Sequence, residues 1–145
     1  MSDHLKLENQ LCHRFYLLSN AFTRAYRPLL DQLDITYPQY IVLMALWEKD
    51  NITLSSLTEK TGIDAGALTQ ILKKLSSKSL LAIEKSDSDK RVKYVQLTPK
   101  GNALKSDAAT IPPQMFCKFN DMSPTEIDTL MQLLDKLNSS LQAES

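Results

Sequence analysis

Apolar side chains recur at Leu11, Phe15, Leu18, Phe22, Ala25 and Leu29, spaced four, three, four, three and four apart. That spacing draws one stripe along a helix and predicts an amphipathic helix from about residue 5 to residue 30. Thr36-Tyr37-Pro38-Gln39 then reads as a second helix start, with Thr36 able to cap and Pro38 in the first turn. Tyr40 to Trp47 is apolar almost all round, so this helix is expected in the core, and Asp50-Asn51 ends it.

A change of rhythm follows. Thr53 to Lys60 predicts a short helix closed by Gly62, and Asp64 caps another that carries Leu68, Ile71, Leu72 and Leu75 on one side. Two short helices joined through Thr61-Gly62-Ile63-Asp64 make a helix-turn-helix. Leu80 to Lys85 and Val92 to Leu97 look like strands flanking the polar tip Ser86-Asp87-Ser88-Asp89-Lys90-Arg91. A helix-turn-helix followed at once by a charged hairpin is a winged helix. Thr98-Pro99-Lys100-Gly101 restarts a helix, Pro112-Pro113 is expected to interrupt it, and Ser123 with Glu126 forms a capping-box pattern before a last helix to about Leu141. The fold class is therefore mainly α with a small β-hairpin wing.

At 145 residues, with 43% hydrophobic and 23% charged residues, one domain with a real core is expected. The beginning of the chain has no apolar run of signal-peptide type and no stretch approaches transmembrane length, so no membrane association and a cytoplasmic location are expected. Net charge is zero, yet Gly62 to Gly101 holds eight cations against four anions, a local +4 balanced by −4 elsewhere. A basic middle in a neutral chain suits a polyanion-facing surface. On the second short helix, Ala65, Thr69, Gln70, Lys73 and Lys74 face away from the leucines. Small residues at its start permit entry into a major groove, Thr69 and Gln70 can bond base edges or phosphate, and the lysines suit phosphate. At the tip, Arg91 can reach a minor groove beside Lys90, with Asp89 holding its guanidinium.

These strings carry a resemblance. Asp89-Lys90-Arg91 followed by Leu97-Thr98-Pro99-Lys100-Gly101 resembles the wing and exit signature of the MarR family of winged-helix regulators. Leu7-Glu8-Asn9-Gln10-Leu11-Cys12, Tyr26-Arg27-Pro28-Leu29-Leu30, Ile35 to Tyr40, Leu46-Trp47-Glu48 and Asp64 to Thr69 are similar to the OhrR group of organic-hydroperoxide sensors within it. The resemblance implies a homodimer on a pseudo-palindromic double-stranded operator, with residues 5–35 and 102–145 as dimerisation helices and 36–101 as the winged-helix DNA-binding region of a single domain, 1–145.

Only two cysteines occur, Cys12 and Cys117. Tyr16 lies at i+4 from Cys12, on the same helix face. Tyr26 falls within about 40° of that face but roughly 21 Å along the axis, out of reach in one chain. An antiparallel copy of the helix would bring the partner's phenol close, and Tyr37 is a third phenol nearby in sequence. Phenolic hydroxyls can donate hydrogen bonds to a thiolate and stabilise it, as peroxide reactivity requires. An apolar surround of Leu11, Phe15 and Leu18 would favour organic peroxides. The resemblance assigns Cys12 as the oxidised thiol with Tyr16, Tyr26 and Tyr37 around it, and Cys117 as the resolving thiol of the other subunit in a reversible disulfide. One departure stands out: His13 and Arg14 follow the cysteine where the group carries apolar residues.

The reading is thus a redox-sensing repressor, bound to DNA when reduced and released by organic hydroperoxide. It is not an enzyme, and no cofactor or metal is expected, since Cys12, His13, His4 and Cys117 lack any zinc-ligand spacing. Other readings stay open: a regulator answering to another oxidant or to a small aromatic ligand, a thiol peroxidase, or Cys117 as an inert core residue.

Overall fold

A computed structural model describes residues 2–143 of the protein. Helix α1 (Leu11–Asp31) starts at Leu11, later than the apolar spacing implies. The preceding residues form two 3-10 turns, Ser2–Leu5 and Leu7–Asn9, and Gln10 leaves helical geometry with φ −98° and ψ 118°. Local side chains satisfy the carbonyls that a continuous helix would have used. Asn9 Nδ2 donates to the Asp3 carbonyl at 2.7 Å, and Arg14 donates to those of Gln10 and Glu8 at 3.0 and 2.7 Å.

Helix α2 (Tyr37–Glu48) opens on the capping box that its sequence promises. The Gln39 N–H donates to Thr36 Oγ1 at 3.3 Å and the Thr36 N–H donates back to Gln39 Oε1 at 3.0 Å. Val42, Leu43 and Leu46 are fully buried, which is why this helix is apolar on every side. A two-residue strand, β1 (Ile52–Thr53), precedes α3 (Leu54–Thr61) and escapes sequence reasoning because only its partner defines it. Gly62 terminates α3 at φ 73°, and α4 (Ala65–Ser77) starts with Asp64 Oδ1 accepting the Ala67 N–H at 2.9 Å. Leu68, Leu72 and Leu75 bury one face of α4 completely.

Strands β2 (Leu81–Lys85) and β3 (Lys93–Leu97) pair antiparallel, Leu81 opposite Leu97 and Lys85 opposite Lys93, with β1 on the other edge of β3 through Ile52 and Val95. Asp50 Oδ1 accepts the Leu97 N–H at 2.9 Å, tying the end of α2 to the sheet. Helix α5 (Pro99–Ala108) is capped by Thr98, whose Oγ1 accepts the Gly101 N–H at 3.1 Å. Gly101 is required by proximity: a Cβ there would lie 2.0 Å from the Leu80 carbonyl oxygen. Its own carbonyl accepts Trp47 Nε1–H at 3.0 Å.

The chain divides after Ile111 into two compact units. Helix α6 (Ile111–Phe116) begins at that boundary and corrects one expectation. Pro112 and Pro113 sit in its first turn, where a missing N–H costs nothing, so they start a helix rather than merely interrupt one. In the second unit a 3-10 turn (Cys117–Phe119) leads to α7 (Pro124–Ala143), which opens on the Ser123–Glu126 capping box with bonds of 2.9 and 3.1 Å. Among the described residues, no helix is long and apolar enough to cross a membrane.

Candidate functional site

The outward face of α4 begins with small residues and ends in cations. Ala65, Thr69, Gln70, Lys73 and Lys74 are all exposed, opposite the buried leucines. Thr69 Oγ1 donates to the Ala65 carbonyl at 2.8 Å, which fixes its rotamer and leaves its lone pairs outward. The wing tip is tightly bonded. Ser86 Oγ accepts the N–H groups of Ser88 and Asp89, each at 3.3 Å, and Val92 N–H donates to the Asp89 carbonyl at 3.0 Å.

Within that tip, Asp89 Oδ1 accepts from Arg91 Nε at 3.2 Å and from the Arg91 backbone N–H at 3.0 Å, with Nη2 3.4 Å from Oδ2. The guanidinium first, and the backbone N–H second, hold the Asp89 carboxyl below its ordinary 3.8. Asp89 therefore stays anionic and keeps a 92% exposed Arg91 side chain in one posture, while Lys90 is exposed beside it. Two of the eight cations that make this segment basic are bonded to backbone carbonyls of their own chain. Lys78 Nζ donates to the Asp34 carbonyl, and Lys100 Nζ donates to the Lys78 carbonyl at 3.0 Å.

At the other end of the first unit, Cys12 is a free, exposed thiol in the first turn of α1. Gln10 offers no side-chain cap there, so first-turn N–H groups remain unpaired by any cap. Tyr16, one turn on, is exposed and stacks on His13 with centroids 6.4 Å apart and planes at 12°. Arg14, adjacent in sequence, is occupied by the Gln10 and Glu8 carbonyls. The apolar stripe expected to surround the thiol lies open in the single chain: Leu11 is 57% exposed, Leu18 49% and Phe15 37%.

The three phenols do not gather. Tyr16 stays with Cys12, whereas Tyr26, near the far end of α1, meets Tyr37 at 4.8 Å and Tyr40 at 6.0 Å between centroids. Tyr37 and Tyr40 are 6.3 Å apart. Tyr40 is the member that periodicity missed, because a tyrosine on an all-apolar helix reads as core. Burial first, then Tyr37 and Tyr40, push the Tyr26 phenol above 10.0, and burial followed by Tyr37 does the same for Tyr40. Both hydroxyls are therefore protonated donors at neutral pH. Beside the cluster lies an open cavity of about 370 Å³ walled by Thr23, Tyr26, Arg27, Ile35, Tyr37 and Pro38.

In the second unit, Cys117 is also a free, exposed thiol, so it is not an inert core residue of this chain. Phe116 and Phe119 flank it, packed edge to face at 5.9 Å. Among the described residues, no three His, Cys, Asp or Glu side chains gather to hold a metal ion.

Comparison with known proteins gives a consistent result. Residues 24–108 match a family described as transcriptional regulator SarA/Rot. The chain is similar to the organic hydroperoxide resistance transcriptional regulator of Bacillus subtilis, 44% identical over 110 residues, 76% of this chain and 75% of the relative. Reduced AbfR bound to DNA, a protein of Staphylococcus epidermidis, aligns at 31% identity over 97% of this chain and 96% of that one with a TM-score of 0.81. AbfR also matches overoxidised and bound to DNA, at a TM-score of 0.79, and in its disulfide form, at 0.65. A Cys-to-Ser mutant of MarR from Escherichia coli with operator DNA aligns at 28% identity over 88% of this chain and 92% of that one, with a TM-score of 0.79.

Proposed function

The chain belongs to the MarR- and SarA-type winged-helix transcriptional regulators, and we propose that it is a homodimeric repressor that holds operator DNA when reduced and leaves it when Cys12 is oxidised by an organic hydroperoxide. The observation that carries this reading is an exposed Cys12 at the start of α1 in a chain 44% identical to an organic hydroperoxide resistance regulator. In the complex, α4 enters the major groove. Ala65 permits close approach, Thr69 and Gln70 read base edges, and Lys73 and Lys74 bind phosphate. Asp89 braces Arg91, which enters the minor groove with Lys90 at its rim. A winged helix that only reads DNA has no turnover to perform, and the family consists of regulators rather than enzymes.

The redox step balances simply. The Cys12 sulfur attacks the hydroperoxide O–O bond, giving a sulfenic acid and releasing the alcohol. The Cys117 thiol of the second chain then displaces water from that sulfenic acid and closes a disulfide. Antiparallel packing of two α1 helices would place the phenols of Tyr26 and Tyr37 from one chain near Cys12 and Tyr16 of the other. The exposed stripe on α1 supports that packing, as do exposed Leu130, Leu133 and Leu134 on α7. AbfR matches both overoxidised and bound to DNA and in a disulfide form. On the reading proposed here, the disulfide is the releasing species.

The test is direct. A duplex selected by the reduced protein from random DNA is titrated before and after one equivalent of cumene hydroperoxide. Wild type is expected to lose the duplex, and Cys12→Ser to bind it and ignore the oxidant. Normal release of Cys12→Ser would sink the proposal.

A further inference from the structure

Lys78 has no place in the reading of DNA described above, yet it is among the most heavily bonded cations of the first unit. It caps the C-terminal end of α4, with its own N–H donating to the Lys74 carbonyl at 3.2 Å. From there its side chain crosses to the turn between α1 and α2. Nζ donates to the Asp34 carbonyl, lies 3.8 Å from the Asp34 carboxylate, and reaches Gln39 Oε1 at 3.5 Å. Asp34 holds a left-handed conformation, φ 56°, that non-glycine residues adopt at a cost, and the lysine is the side chain that engages its carbonyl.

Among the described residues, Gln39 is the buried polar side chain, 4% exposed. Its Oε1 already accepts the Thr36 N–H, so the same oxygen serves the α2 capping box and Lys78. Tyr37 and Tyr40 are the immediate neighbours of that box, and both pack on Tyr26. The tyrosine-lined cavity and the end of α4 are therefore joined through one turn and one side chain. The clamp is fixed at its other end as well. Lys100 Nζ donates to the Lys78 carbonyl at 3.0 Å, and Thr98 Oγ1 donates to the Ser79 carbonyl at 2.6 Å, with Ser79 at φ 62°.

We propose that Lys78 is the positioning residue that couples the tyrosine cluster between α1 and α2 to the orientation of the DNA-reading helix α4. Any event that shifts the Tyr26 or Tyr37 ring displaces the Thr36–Gln39 box. The box moves the Gln39 oxygen and the Asp34 carbonyl, and Lys78 passes that displacement to the last turn of α4. The sense of the response, release on oxidation, rests on the proposed function; the coupling itself does not.

The experiment uses the full-length protein and a duplex selected by its reduced form. Affinities are measured before and after cumene hydroperoxide for wild type, Lys78→Met and Lys78→Arg, with disulfide formation scored on non-reducing gels. Lys78→Met is expected to oxidise as wild type does. Its ratio of oxidised to reduced Kd should fall by between about 2-fold and 30-fold, and Lys78→Arg should restore most of it. A purely structural lysine would weaken both states equally and leave the ratio unchanged, which overturns the proposal. Lys78→Gln replaces Lys78→Met if the latter melts below the assay temperature.

A second arm, on reduced protein alone, combines Tyr37→Ala with Lys78→Met. Departure from additivity by at least about 2-fold in Kd is expected, and additive effects overturn the coupling. A wild-type protein that forms the disulfide without leaving DNA would refute the redox reading, and this second arm would still decide the role of Lys78.

Discussion

Two sets of elements in this chain are finished to different degrees. The helix-turn-helix and wing satisfy themselves: α4 has its cap on Asp64 and a leucine face that is fully buried, and the wing tip is closed by Ser86 and Asp89. The thiol-bearing end of α1 and the length of α7 do the opposite. They leave Leu11, Leu18, Leu130 and Leu133 open to solvent. On the proposed function, reading DNA is local and self-contained, whereas sensing uses surfaces that a second copy would cover.

The largest expected effect breaks the contrast at the sensing end. Charging the α1 stripe, with Phe15→Asp and Leu18→Asp together, should give a monomer by sedimentation with its helicity intact. Affinity for the full palindrome should fall by roughly 10² to 10⁴ as bivalent binding is lost. An unchanged dimer would remove the asymmetry. At the reading end, Leu72→Ala should cost about 2–5 kcal/mol in urea unfolding, because Leu72 is fully buried, without altering oligomeric state at matched folded concentration.

A smaller loss, about 1 kcal/mol, is expected for Asp64→Ala, which removes the α4 cap. Lys73→Ala should reduce the slope of log affinity against log salt by about 1 while leaving sequence preference intact. The smallest effect concerns pH. Tyr26 and Tyr40 are held above 10.0 in the fold, so folding favours their neutral forms. Their contribution is whole below 10.0 and lost as pH rises through the folded values. Denaturation midpoints should therefore fall above that pH, and less in Tyr26→Phe.

Much of the helix framework and of the wing was legible in the sequence because its signals are short-range. Thr36, Asp64, Thr98 and Ser123 sit where caps must sit, and each accepts the N–H three residues on. The Asp89–Arg91 brace follows from two residues of separation on a hairpin. What escaped is long-range or cooperative. Strand β1 exists through its pairing with Tyr94 and Val95, Gly101 is dictated by the Leu80 carbonyl, and Lys78 finds Asp34 across 44 residues. The helix start slipped from residue 5 to Leu11 because Asn9, Gln10 and Arg14 bond local carbonyls, which an apolar spacing does not register.

On the proposed function, sensing is completed between two chains. A mixture of Cys12→Ser and Cys117→Ser chains tests it most directly, because neither variant alone holds both thiols. After cumene hydroperoxide, the mixture should yield a dithiothreitol-reversible dimer on a non-reducing gel, joined through Cys12 of one chain and Cys117 of the other. Cys12→Ser alone should yield none. A mixture that stays monomeric on the gel, while wild type forms its disulfide within a single chain, would contradict the account.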